Sequence, residues 1–396
     1  MYGVALEGGG MKGAYHIGAI KALQECGYEI GGYVGTSIGA FNAAVIAQGD
    51  YKKLYDAWYN GSTALGIDVD EKELGFLVDR KWSLRTIKYW TKFLKDNIYN
   101  KGIDSTKLKQ FYSKMIDEEK LRKSKLDFGL VTVSYTDKKP LYMYKEDIPE
   151  NMVSSYVLAS SYLPVFKQDK ILKDEKFYLD GGFYDNCPIT LLIDKGYKDI
   201  IEIKTGAIGK SKRVNRKNLN ILTVEPSKDL GSIIFSDNKQ ARENIKMGYY
   251  DCLRVLKGYI GDKFYVIPEE DDKVFNMLLK LTDEQILHVV KELNINGITE
   301  EMEPKKILFE KMLGAISAKL KNRDISSYQK LIVSMIEYIT ENEIQIYKLY
   351  TFDELLIEIK KKLPKLIRAE KESIIKSQTN LLILNILKEL LKNVEI

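Results

Sequence analysis

Apolar and polar positions along this chain follow two regimes. In the first half, short and almost wholly apolar runs alternate with glycine-rich turns, as strands buried on both faces do when helices cover them. Tyr2–Leu6 predicts a strand and Ala14–Cys26 the helix behind it, stopped by Gly27. Ile30–Val34 predicts a second strand and residues 38–48 a second helix, ended by Gly49-Asp50. Two strand–loop–helix units in succession predict a mainly parallel sheet between helical layers. Helices are expected over Tyr51–Asn60, from Ser105 to Glu119, over Ile148–Ala159 and over Ile189–Lys195. Phe128–Tyr135 alternates as a strand, with Lys139–Tyr144 its hairpin partner, and short strands are expected at Phe177–Leu179, Asp199–Ile203 and Ile221–Val224. The polar, basic stretch 204–220 reads as a mobile loop.

The second regime begins after a long helix, Asn238–Lys257, and a short extended piece, Lys263–Ile267. Beyond Pro268 the apolar positions recur at helical spacing between Glu and Lys, in Leu278–Leu281, Ile286–Leu293, Ile307–Leu320, Tyr328–Tyr338 and Ile344–Lys361. The expected organisation is an α/β domain over residues 1–268 and an all-helical C-terminal domain over 269–396. No period typical of a solenoid stands out.

Composition narrows the classes. Among 396 residues, 45% are hydrophobic and 30% charged, as in a soluble globular chain. The formal charge of +5 is a mild excess, which suits an anionic membrane surface better than nucleic acid. No nucleic-acid module is visible, so no nucleic-acid partner is expected. Three scattered cysteines, Cys26, Cys187 and Cys252, make no disulfide framework. An acidic residue, Glu7, arrives before any apolar core could follow a basic start, and no uncharged apolar window is long enough to span a bilayer. A cytoplasmic protein is expected, with contact to a membrane from one side left open. No cluster of His, Cys and Asp suggests a metal, and no cofactor is expected.

The candidate chemistry centres on Gly35-Thr36-Ser37-Ile38-Gly39, placed between a strand and an apolar helix. That is the context in which a G-x-S-x-G turn presents a nucleophilic serine. Gly8-Gly9-Gly10-Met11-Lys12-Gly13 likewise follows a strand and opens a helix. Its amides can act as an oxyanion hole, because glycines expose N–H groups without crowding a substrate. Gly8, Gly10 and Gly13 also fit the G-x-G-x-x-G dinucleotide spacing, but no acidic residue ends the second strand; Glu29 precedes it instead. A base is harder to find. The chain has two histidines, His16 inside the helix after the glycine loop and His288 among Ile286, Leu287, Val289 and Val290, which reads as a helix-packing residue. A Ser-His-Asp triad is therefore poorly supplied. Asp180, freed by Gly181-Gly182 after a short strand, is the alternative base, although Asp-Gly is also a common turn pair.

Four stretches in order resemble the patatin-like phospholipases: Glu7–Gly18, Gly35–Ala40, Ala159-Ser160-Ser161-Tyr162-Leu163-Pro164 and Asp180-Gly181-Gly182-Phe183-Tyr184-Asp185-Asn186-Cys187-Pro188. The resemblance covers roughly residues 3–205. It implies a three-layer α/β/α patatin-like fold and a Ser-Asp dyad without catalytic histidine. Ser37 would be the nucleophile and Asp180 the base; Gly8, Gly9, Gly10, Met11, Lys12 and Gly13 would supply the oxyanion hole, with Gly35, Gly39, Gly181 and Gly182 supporting the two turns. Lys12 stands where the family often has arginine, and an ammonium cannot copy a guanidinium fork. The implied activity is calcium-independent hydrolysis of fatty-acyl esters of phospholipids or lysophospholipids through an acyl-enzyme. Hydrolysis of thioesters, small esters or neutral lipids on the same dyad, and a non-catalytic lipid-binding module, are the alternatives. The run Lys81, Trp82, Lys88, Tyr89, Trp90, Lys92, Phe93 and Lys95 is a candidate interfacial cap. The Lys360–Lys362 run with Lys365 and Arg368 reads as a solvated helix face.

Overall fold

The computed structural model describes residues 1–65, 104–164, 166, 170–172, 174–233, 236–299, 301–320, 326–340, 344–372 and 378–392. The candidate cap at 81–95 lies outside the described residues. The chain divides into two compact units, Met1–Val255 and Leu256–Ile396.

The first unit is built on a seven-stranded sheet. Its parallel centre runs from β3 (Asp127–Ser134) through β2 (Ile30–Thr36), β1 (Tyr2–Leu6) and β6 (Asp199–Ile203) to β7 (Asn220–Val224). Two antiparallel partners, β4 (Lys139–Tyr144) and β5 (Tyr178–Asp180), both pair with β3. The apolar runs of β1 and β6 are buried on both faces because helices lie on each side. On one face α1 (Ala14–Glu25) and α2 (Ile38–Ala47) contribute Ile17, Ile20, Phe41 and Val45, and α2 is buried along its whole length. On the other, the short helix Ile189–Asp194 sets Leu191 and Leu192 against Ala5, Val34, Val131 and Ile200. The result is a three-layer α/β/α arrangement of patatin-like type. The helix expected from Ile148 starts instead at Val153 and runs to Ser160, since Asn151 takes a left-handed conformation at φ 61 that a continuing helix cannot hold.

Among the described residues the second unit is helical apart from one short parallel pair, Tyr265–Val266 with Leu349–Tyr350, and a bridge between Ile260 and Val266. Its core collects Val333, Ile336, Leu355, Ile359 and Leu387 from the helices Tyr328–Ile339, Phe352–Glu372 and Gln378–Leu391. Glu337 turns inward, and its Oε1 accepts the N–H groups of Asp262, Lys263 and Phe264 at 2.8, 2.7 and 2.9 Å. No described helix is long and apolar enough to cross a membrane.

Candidate active site

Sheet register brings the three glycine-flanked motifs to one edge. Leu6, the last residue of β1, pairs with Gly35 of β2, so the glycine loop begins beside the serine turn. Thr36 pairs with Val131, and the next β3 residue, Thr132, pairs with Asp180. Ser37 and Asp180 therefore emerge from positions two strands apart across β3's single step. The Ser37 hydroxyl stands near enough to the Asp180 carboxylate to favour its ionised form.

Ser37 is held at φ 57 and ψ −127, a region that L-residues rarely occupy. The turn is fixed from several sides. The Ser37 N–H donates to Ser160 Oγ at 2.9 Å, and that hydroxyl donates onward to the Val131 carbonyl at 2.6 Å. Thr36 Oγ1 donates to the Asp185 carbonyl at 2.7 Å. The flanking glycines are demanded by close approach: a Cβ on Gly35 would sit 2.3 Å from the Gly39 carbonyl carbon, and one on Gly39 would sit 2.2 Å from the Leu6 carbonyl oxygen. Ser37 caps the ten-residue helix α2, whose N-terminal dipole favours negative charge at this point.

Asp180 is buried, at 6% exposure. Burial pushes its carboxyl from an ordinary 3.8 up to about 6, opposed by the Ser37 hydroxyl and the Gly182 N–H, which donates to Oδ1 at 2.7 Å. A carboxylate with that value is largely ionised at neutral pH and can accept a proton from a nearby hydroxyl.

The glycine loop divides its amides between structure and the cleft. The N–H groups of Gly8, Met11 and Lys12 donate to the carbonyls of Asn186, Ile233 and Gly9. Among the described residues, those of Gly9 and Gly10 meet no acceptor. Gly13 closes the tight turn Gly10–Gly13, where a Cβ would press within 2.8 Å of Ile38. Lys12 pairs with exposed Asp229 at 3.5 Å. Glu7 braces the loop from behind: its Oε2 accepts from the N–H of Thr205 at 2.7 Å and of Gly206 at 3.1 Å, while Thr205 Oγ1 donates to the Gly8 carbonyl at 2.6 Å. The cleft beside Ser37 is lined by Gly10, Met11, Ile38, Leu108, Tyr112, Ser161, Leu163, Phe166 and Ile233. Its walls are mostly apolar, as an acyl chain requires.

The histidines fall elsewhere. His16 is fully buried, and desolvation lowers its imidazole to about 3, so it is neutral. Asn42 Nδ2 meets its Nδ1 at 3.2 Å and donates to the Gly13 carbonyl at 3.0 Å, while Trp58 Nε1 donates to Asn42 Oδ1 at 3.0 Å. His16 thus braces α2 against the end of the glycine loop. His288 does not pack as its apolar neighbours suggested: it is exposed on the helix Asp283–Leu293, whose buried face carries Ile286, Val289 and Leu293. The helical phase puts position 288 on the outer side.

Several positioning residues were silent in the sequence. Ser160 belongs to the Ala159–Pro164 stretch, but its bond to the Ser37 N–H needs the pairing of distant segments. Tyr112 enters the cleft from the helix Thr106–Met115, donating to Ser161 Oγ at 3.1 Å and stacking on Phe41 at 4.5 Å between centroids. The 204–220 stretch is tethered at several points: Lys210 N–H donates to the Gly182 carbonyl at 3.0 Å, Asn186 N–H to the Lys210 carbonyl at 2.6 Å and Lys212 N–H to Asp185 Oδ1 at 3.1 Å. Among the described residues, no three His, Cys, Asp or Glu side chains gather as metal ligands would.

A family model described as patatin-like phospholipase matches residues 4–193. Lysophospholipase nte1 of Aspergillus terreus is 27% identical over 207 residues, which cover 52% of this chain and 12% of that protein. Human patatin-like phospholipase domain-containing protein 6 is 26% identical over 208 residues, 52% of this chain and 13% of its own length. The matched region is thus about an eighth of these relatives. Among solved structures, VipD from Legionella pneumophila aligns with a TM-score of 0.40 and 16% identity, covering 100% of this chain and 92% of that one.

Proposed function

Residues 4–193 belong to the patatin-like phospholipase family, and from that premise we propose that the protein is a serine acyl hydrolase acting on phospholipid or lysophospholipid esters through a Ser37–Asp180 dyad. The observation that carries the reading is the strained Ser37, within reach of a buried carboxylate raised to about 6 and beside two unengaged glycine amides. Asp180 takes the hydroxyl proton as Ser37 Oγ attacks the acyl carbonyl. The N–H groups of Gly9 and Gly10, with that of Ile38 at the start of α2, are the oxyanion donors. Collapse of the tetrahedral intermediate expels the lyso-lipid or alcohol, which receives the proton from Asp180. Water, activated by the same carboxylate, then attacks the acyl-Ser37 ester, releasing the fatty acid and restoring the hydroxyl. No step calls on a metal. The apolar cleft lined by Leu108, Leu163 and Phe166 receives the acyl chain, and the protein meets its substrate as a peripheral visitor to the lipid surface. The α/β region acts as the catalytic domain, with the helical region after residue 268 as an accessory to it.

A fluorophosphonate probe on the folded protein tests the nucleophile, with labelling of Ser37 expected and lost in Ser37→Ala. Product analysis with phospholipid, lysophospholipid, triglyceride and acyl-thioester substrates tests the substrate class. An unlabelled Ser37 would point to a binding module instead, and turnover of the thioester alone would overturn the lipid-ester assignment.

A further inference from the structure

Between Lys204 and Val224 the chain carries six basic residues and no acidic one. Two of the six are neutralised: Lys204 pairs with Glu225 at 2.7 Å and Arg216 with Glu202 at 2.9 Å. Lys210, Arg213 and Lys217 are exposed and make no ion pair among the described residues. Lys212, also exposed, lies over the Tyr142 ring at 5.3 Å. Apolar side chains stand out of the same surface. Ile208 is 63% exposed, and Phe183 and Tyr184 are each 43% exposed on the turn that follows Asp180. The backbone bonds of Lys210 to Gly182 and Asn186 hold the basic loop and this aromatic turn side by side. Tyr184 meets the edge of Tyr142, the ring that Lys212 covers, at 6.4 Å. The loop is not a loose tail: Thr205 is bound to Glu7, and Val214 packs on the apolar cluster behind the sheet. Large apolar side chains and unpaired cations are thus displayed together on a tethered support that touches both the glycine loop and the Asp180 turn.

Exposed apolar side chains of this size cost a free-standing surface solubility, and they share their surroundings with unneutralised cations. That pairing matches the boundary of an anionic bilayer, where rings enter the headgroup layer and basic groups meet phosphates. An acidic protein would satisfy the cations but leaves Ile208 and Phe183 without a stated partner. We propose that the surface formed by Phe183, Tyr184 and Ile208 with Lys210, Lys212, Arg213 and Lys217 docks the protein on anionic phospholipid membranes, bringing the Ser37 cleft to the lipid. The proposal rests on the lipid-hydrolase reading for its purpose but is tested apart from it.

The test uses the full chain as Ser37→Ala, so that binding is read without turnover. Sedimentation with phosphatidylcholine vesicles, with and without phosphatidylserine, is expected to show binding only where phosphatidylserine is present, weakening as salt is added. Each basic residue near such a surface accounts for about a fivefold change in partition, so Arg213→Glu with Lys217→Glu should lower binding by more than about twentyfold. Ile208→Asp should also weaken it. In the Ser37 background these same variants should hydrolyse a soluble short-chain ester at the unmodified rate, which separates docking from misfolding. Equal binding to neutral vesicles, no binding to either, or binding unchanged in the Arg213/Lys217 variant would overturn the proposal. Retained vesicle binding by a protein that hydrolyses no lipid ester would refute the hydrolase reading and leave the docking surface standing.

Discussion

Asp180→Asn separates the chemistry of the proposed dyad from its architecture. The substitution keeps a carbonyl oxygen to accept the Gly182 N–H bond of 2.7 Å and removes the proton acceptor that the mechanism needs. Hydrolysis of a soluble ester should fall by roughly a hundredfold to ten-thousandfold. Stability should move the other way as pH rises. Burial lifts this carboxyl from 3.8 to about 6, so between those values the folded protein holds a proton that the unfolded chain has released. The stabilising contribution of Asp180 is complete below the unfolded value and is lost as pH rises through the folded one. The rise corresponds to ~3 kcal/mol, and the amide variant is spared that loss. Urea denaturation followed by tryptophan fluorescence suits the measurement, because Trp58 is fully buried in the Met1–Val255 unit and no tryptophan follows residue 90 in the sequence. The stability difference between variant and parent should shift in the variant's favour by ~3 kcal/mol between about pH 4 and pH 8, with contributions from other groups cancelling. In the parent, kcat/KM should rise with pH through a midpoint near 6. A pH-independent stability difference, or a flat kcat/KM profile across that range, would refute the assignment of a buried, elevated base.

Three further outcomes follow from the same geometry. Ser37→Gly should leave the protein inactive but more stable than Ser37→Ala by ~1 kcal/mol in urea, because glycine takes φ 57 without strain. Gly39→Ala should destabilise the unit by ~2 kcal/mol or more and shift its fluorescence transition accordingly, since the new Cβ meets the Leu6 carbonyl oxygen at 2.2 Å and backbone must yield. His16 is held neutral by burial, with its imidazole lowered from 6.5 to about 3; its contribution is present above 6.5 and is lost as pH falls toward 3, so His16→Leu should narrow its stability gap to the parent progressively through that acid range.

The sequence by itself determined the local turns of the candidate site. Strand–glycine–helix punctuation marks the Ser37 turn and the glycine loop because only certain backbones can make them, and those residue choices are local. The scarcity of histidine, with the strand and the two glycines that flank Asp180, made that carboxylate the candidate base. The helical character of the C-terminal unit was likewise legible, since it needs only the spacing of apolar residues, although the phase at His288 was misread. Tertiary structure decided everything that depends on which segments meet. The Ser160 bond to the Ser37 N–H, the choice of Gly9 and Gly10 as the unengaged amides, and the entry of Tyr112 into the cleft all join residues far apart in the chain. The pairing of Leu349–Tyr350 with Tyr265–Val266 interrupts a stretch whose own pattern is helical, because its partner lies far upstream. The 204–220 stretch shows the limit most clearly. Its polar side chains predict a mobile loop, yet its backbone is tethered to Glu7, Gly182, Asn186 and Asp185, bonds that side-chain pattern does not encode. Asp180 itself was visible as a carboxylate between a strand and two glycines; the rise of its carboxyl to about 6 comes from burial, which only the folded chain supplies.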